Sequence, residues 1–162
     1  MCHGAIAQEW LNSLHARAFQ DTRFLEEAKH EKEAEGKCFT CHAPQAVRAK
    51  GLGQTPGFRT DLREVGVDCA VCHVDLKGKV HAPYRSGESA HDVEADPQHR
   101  TEALCASCHE AFGTVTEFRQ TFFAKQGQTC ATCHMPKVKV QPPLKCTDHW
   151  IRKRTERDRA KR

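Results

Sequence analysis

The 162 residues include one Tyr, two Trp and two Met, and no apolar run approaches the roughly 18–20 residues of a membrane-spanning helix. An integral membrane helix is therefore excluded. Apolar residues make up 38% of the chain against 28% charged, and the mean hydropathy is −0.69. A small domain must bury most of its apolar surface to offset chain entropy, and this composition is thin for an aliphatic core. Against that poverty stand ten Cys and eleven His.

Eight of the cysteines fall into four C-x-x-C pairs, each followed at once by histidine: Cys38 and Cys41 with His42, Cys69 and Cys72 with His73, Cys105 and Cys108 with His109, Cys130 and Cys133 with His134. A lone C-x-x-C is shared by zinc ribbons, redox-active dithiols and disulfide scaffolds. Zinc would use the same thiolates but has no need of a histidine at a fixed offset, and disulfides would leave the histidines unexplained. Two thiols three positions apart can add to the two vinyl groups of one haem, and the next imidazole reaches the iron as proximal ligand. The four motifs therefore read as four c-type haem attachment sites. Cys2-His3 has the form of the end of a fifth motif, whose first cysteine would lie ahead of Met1, with haem held through one thioether. Cys146 has neither a C-x-x-C partner nor a following His and reads as an incidental thiol.

The iron's other axial position separates carriers from catalysts. Met1 is terminal and Met135 directly follows His134, badly placed for the opposite face of the same haem, so Met/His ligation is disfavoured. Six histidines lie outside the motifs: His15, His30, His81, His91, His99 and His149. Five haems need five distal imidazoles, so bis-histidine ligation throughout is arithmetically open. His30, inside the charged run EEAKHEKEAEGK, reads as a solvated residue. The remaining five, His15, His81, His91, His99 and His149, are the candidate distal ligands.

The motif starts recur at gaps of 31, 36 and 25 residues, but the intervening segments share no pattern, so a binding unit is repeated rather than a solenoid. Residues 5–35 carry apolar stripes at helical spacing, with a break expected near Asp21-Thr22. Residues 43–68 and 74–104 are rich in Gly and Pro and read as loops with short helical turns. EFRQTFFAK suggests a short helix from Thr116 to Lys125, ended by Gly127, and VKV after Pro136 a short strand. The expected architecture is one domain over 1–162, mainly α with long loops and little or no β, its core packed on porphyrin. The tail IRKRTERDRAKR, 151–162, carries seven Lys/Arg and two acids. A basic tail alone suggests anionic partners. Haem propionates change that sum: at about −1 per ferric and −2 per ferrous bis-His haem, five haems bring the formal +4 to roughly −1 or −6. The tail then reads as a solvated helix end or partner contact, not a nucleic-acid site.

The ordered motifs resemble the multihaem cytochromes of the cytochrome c-552/c-554 domain family. The resemblance rests on E-W-x-x-S-x-H-A-x-A-F (Glu9 to Phe19) after a C-H, on C-x-x-C-H-A-P at 38–44, and on G-V-x-C-x-x-C-H (Gly66 to His73). It continues with A-H-D-V (90–93) before L-C-A-S-C-H-E, and with G-Q-T-C-A-T-C-H-M-P (127–136) followed by D-H-W. It implies a mostly helical, loop-rich fold around closely spaced haems, exported to the periplasm or beyond the cell, and used in electron transfer. It also implies distal roles for His15, His91 and His149. Because haem is attached outside the cytoplasm, the chain reads as a mature form or fragment.

The family spans carriers, enzymes acting on small nitrogen or sulfur compounds, and subunits of conducting filaments, and fold alone does not choose among them. A carrier with unchanged bis-His ligands and transient redox partner proteins is the leading expectation. An enzyme needs an open iron site with distal donors, and neither a C-x-x-C-K motif nor a second tyrosine beside Tyr84 marks one. A filament or larger complex, in which a neighbouring copy completes one haem, is the other alternative.

Overall fold

The computed structural model describes residues 3–84, 90–139 and 145–147. Cys2, His149 and the basic tail 151–162 lie outside the described residues. Within them the protein is built of short helices joined by loops. The first is α1 (Gly4–Leu11), and the chain then turns through residues 12–20 before α2 (Thr22–His30). Helix α1 is shorter than the stripe beginning at residue 5 suggests. Buried Ser13 takes the backbone N–H of Ala16 on its Oγ at 3.2 Å, a local bond that competes with continued helix. The break expected at Asp21 is an N-cap: its carboxylate accepts from the Phe24 N–H at 2.9 Å.

A π-helical stretch, Glu35–Phe39, runs into α3 (Thr40–His42). After a long loop come α4 (Cys69–His73) and a two-stranded parallel ladder, β1 (Val80–Ala82) with β2 (Val93–Ala95), pairing His81 with Glu94. Helices α5 (Ala103–His109), α6 (Thr114–Gln120), α7 (Phe122–Lys125) and α8 (Cys130–His134) follow. The single helix expected from Thr116 to Lys125 is two, because Thr121 is extended (ψ 156°) and caps α7 through the Ala124 N–H. Gly127, at φ +73°, ends α7 as expected. An antiparallel pair, β3 (Lys137–Lys139) with β4 (Lys145–Thr147), closes the described chain.

The fold is mainly α with little β, and its apolar core is sparse. Ala16, Phe24, Ala43, Val47, Val71, Ala106 and Val115 are the buried hydrophobic side chains among the described residues. Four of the eight Phe gather in one cluster: Phe19 lies 5.0 Å from Phe39 and 5.7 Å from Phe24, and Phe39 is 6.5 Å from Phe58, centroid to centroid. Arg63 covers it from outside, 5.1 Å above the Phe39 ring. Elsewhere Leu14, Leu62, Leu76, Phe112 and Phe122 are more than 60% exposed, so much of the apolar surface is uncovered by polypeptide.

Candidate haem-binding site

Each attachment motif ends a helical segment on its histidine: α4, α5 and α8 carry whole motifs closing on His73, His109 and His134, and the first runs from Cys38 in the π-helical stretch through α3 to His42. Helical geometry puts positions i, i+3 and i+4 on one face, so both thiols and the imidazole of a motif are presented together. The turns are pinned at their starts. Asp68 caps α4 by accepting from the Val71 N–H at 3.1 Å and is held by Arg59 at 2.6 Å. Thr129 and Thr132 form a reciprocal capping box on α8.

None of the eight motif cysteines is in a disulfide. Cys41 of the first motif and Cys108 of the third interact directly, as do Cys105 of the third and Cys130 of the fourth. The third attachment helix therefore meets both the first and the fourth. Burial, reinforced by Asp68, pushes the Cys72 thiol up to about 11.

Two motif histidines have their Nδ1 engaged by backbone: His42 with the carbonyl of Ala18 at 2.6 Å, and His73 with that of His81 at 2.8 Å. Such a bond fixes the tautomer and makes Nε2 the ring nitrogen that a metal takes. His42 is also packed flat on Phe24, centroids 3.8 Å apart and planes within 3°. These residues fit a covalently held haem: paired thiols and an oriented imidazole on one face.

The candidate distal histidines fall into distinct places. His15 and His109 stand with ring centroids 6.1 Å apart, and His3 and His91 are likewise 6.1 Å apart. Two imidazoles bound to one iron by bonds of about 2 Å have centroids roughly 6 Å apart, so both spacings fit. His99 lies closer to His73, at 4.9 Å and 28° between planes. Its Nε2 is buried and has no hydrogen-bond partner. His81 meets His73 through its carbonyl, while its own ring nitrogen lies 3.1 Å from Asp75 Oδ2. His30 is solvent-exposed beside Glu26. Burial, with His109 nearby, pushes the His15 imidazole down to about 4. Burial, with His73 and Arg48 adding to it, does the same for His99. Desolvation and then His134 lower His109. Neutral imidazole is the ligating form.

His15 is placed by the two motif segments around it. The Trp10 indole N–H donates to the Val67 carbonyl at 2.8 Å, and the Val67 N–H donates to the His15 carbonyl at 2.9 Å. Arg48 and Asp96, which sequence patterning does not single out, contact His99 across 51 and three residues. Among the described residues no three His, Cys, Asp or Glu side chains converge as ligands of a bare ion.

Helical turns that present two thiols and an imidazole on one face suit the covalent attachment of haem c. Residues 1–74 match the sequence model of the family described as cytochrome c554 and c-prime. No curated protein and no solved structure matches the chain. No helix among the described residues is long and apolar enough to cross a membrane.

Proposed function

We propose that the protein is a multihaem carrier, one domain over 1–162, that relays electrons through four to five closely spaced and mostly bis-His haems of low potential. The observation that carries this reading is the pairing of two sets of histidines, His109 with His15 and His3 with His91, ring centroids 6.1 Å apart in each and drawn from distant segments. Bound haem supplies one-electron chemistry at iron, and two nitrogen ligands kept in both redox states make that exchange cheap in reorganisation. The chain's part is to hold those ligands, to bring the first, third and fourth attachment helices together through Cys41–Cys108 and Cys105–Cys130, and to offer exposed apolar side chains such as Phe112 and Leu76 for porphyrin to cover. By the family resemblance His149 is a further distal ligand, and Cys2 with His3 holds the fifth haem. The proposed location is periplasmic or extracellular, with transiently docked redox proteins as partners.

Intact-mass spectrometry of the purified holoprotein counts the covalent haems, and four or five are expected; three or fewer overturns the reading. The visible spectrum of the dithionite-reduced protein should be unmoved by carbon monoxide. A change in one haem's share of the signal would instead reveal an exchangeable iron site and favour an enzyme.

A further inference from the structure

We propose that the turn from His15 to Ala18 is a mechanical link between two haem sites. One end supplies a ligand to the haem attached at Cys105 and Cys108, and the other orients the proximal ligand of the haem attached at Cys38 and Cys41. The proposal rests on the reading of His15 as the sixth ligand opposite His109. Their ring centroids are 6.1 Å apart, which leaves room for one iron between two imidazoles. Further along the same turn, the Ala18 carbonyl meets His42 Nδ1 at 2.6 Å. A carbonyl can only accept, so the proton of His42 sits on Nδ1 and Nε2 is the nitrogen left for iron. Both contacts therefore suit bound haem, and they belong to two different motifs.

The turn is bonded and packed along its length. The Ala18 N–H donates to the His15 carbonyl at 3.2 Å, closing the turn on itself, and the Val67 N–H donates to that same carbonyl from outside at 2.9 Å. Ala16, at its middle, is buried and gives its N–H to buried Ser13. Gly66 backs it so closely that a Cβ there would lie 3.1 Å from the Ala16 carbonyl oxygen and 3.2 Å from the Ala18 nitrogen. Just beyond Ala18, the Phe19 ring packs edge-on against Phe39 inside the first motif, centroids 5.0 Å apart. The Gln20 amide then donates to the Glu64 carbonyl at 2.7 Å. Segments packed this closely transmit strain rather than absorb it. A shift of His15 at one iron therefore moves the carbonyl that fixes His42 at the other. Because Cys41 and Cys108 also interact directly, the same two haems can influence one another through space, and the test has to separate that route from the turn.

The test uses the ferric holoprotein with isotope-labelled histidine. EPR follows the spin state of each haem, and NMR follows solvent exchange of the His42 Nδ1–H, assigned through its contacts with the stacked Phe24 ring. His15→Ala should turn one low-spin EPR feature high-spin and speed that exchange about tenfold, the factor given by roughly 1.4 kcal/mol of local opening. Added imidazole fills the vacated iron position and restores the low-spin feature, but it is not joined to the turn, so exchange at His42 should stay fast. If imidazole also restores slow exchange, the haems communicate directly and the link is overturned. If His15→Ala opens a haem yet leaves exchange at His42 unchanged, the link fails while the ligand reading stands. If His15→Ala opens no haem, His15 is not a ligand and the proposal falls with that reading. Gln20→Ala, at an exposed side chain, covers the case in which His15→Ala fails to assemble. It releases the turn from the Glu64 carbonyl with His15 in place, and should move one haem's EPR line shape and the exchange at His42 together. Movement of neither, or of one alone, refutes the link.

Discussion

Gly66 stands so close to His15 that a Cβ on it would lie 2.5 Å from the His15 carbonyl oxygen. Its φ of +67° and ψ of −134° are closed to ordinary L residues, so the glycine that opens G-V-x-C-x-x-C-H is required twice over. The close approach is what allows the Val67 N–H to reach the His15 carbonyl. The second attachment motif thus serves as the wall on which the segment carrying His15 is laid.

Gly66→Ala should therefore act at a distance from its own haem. Backbone strain of about 1–3 kcal/mol is expected from the conformation alone, with the contact against His15 added. Denaturant melts of the holoprotein measure the loss. The same variant should displace His15 and make one haem reactive to carbon monoxide, whereas an unmoved spectrum would show that His15 is not a ligand.

Trp10→Phe tests the other fastening of this segment. The ring volume is largely kept, but the Val67 carbonyl loses its indole donor across 57 residues of sequence. Leaving a half-buried carbonyl unpaired should cost about 1–3 kcal/mol. Loss of stability with the haem spectra preserved is the expected result, because Val67 still donates to His15.

Phe24→Ala removes the ring that lies flat on His42 and joins Phe19 and Phe39 in the aromatic cluster. A buried Phe→Ala change costs about 3–5 kcal/mol, a large share of a small domain's stability. Phe24→Leu, which fills most of the space, should recover much of it. Equal stability of the two variants would show that the Phe24 ring is not packed as described.

How much of this was readable in the sequence depends on distance along the chain. The four C-x-x-C-H motifs are legible because their pattern is local: two thiols and an imidazole at i, i+3 and i+4 fit one helical turn. The break at Asp21 and the stop at Gly127 were legible for the same reason, since a cap and a positive-φ glycine act within a few residues. The early end of α1 was not, because a Ser13 side chain competing for the Ala16 N–H looks no different in sequence from a solvated serine. The place of His99 beside His73, and of Arg48 beside His99, depends on a ladder and a turn that bring residues 48, 73 and 99 together. No spacing rule reaches that far. His81 shows the converse: it lies next to His73, as a ligand would, yet its carbonyl makes that contact and its ring turns to Asp75.

Asp68 joins a helix cap to an ion pair, and two substitutions separate them. Its Oδ1 accepts from the Val71 N–H, and its Oδ2 accepts from Arg59 Nη1 at 2.6 Å, with both side chains about four-fifths buried. Arg59 also donates to the Gly66 carbonyl, so the pair spans the loop that leads into α4. Asp68→Ser retains a capping oxygen and loses only the carboxylate partner, leaving Arg59 its bond to Gly66. Asp68→Ala loses the cap as well and should be less stable than Asp68→Ser by about 1 kcal/mol. Because α4 carries Cys69, Cys72 and His73, fraying its first turn should also lower haem occupancy at this site alone, which peptide mapping of the haem-bearing fragments would read. Equal occupancy at all four motifs in Asp68→Ala would show that the attachment turn forms without its cap, and that the covalent haem rather than Asp68 holds it.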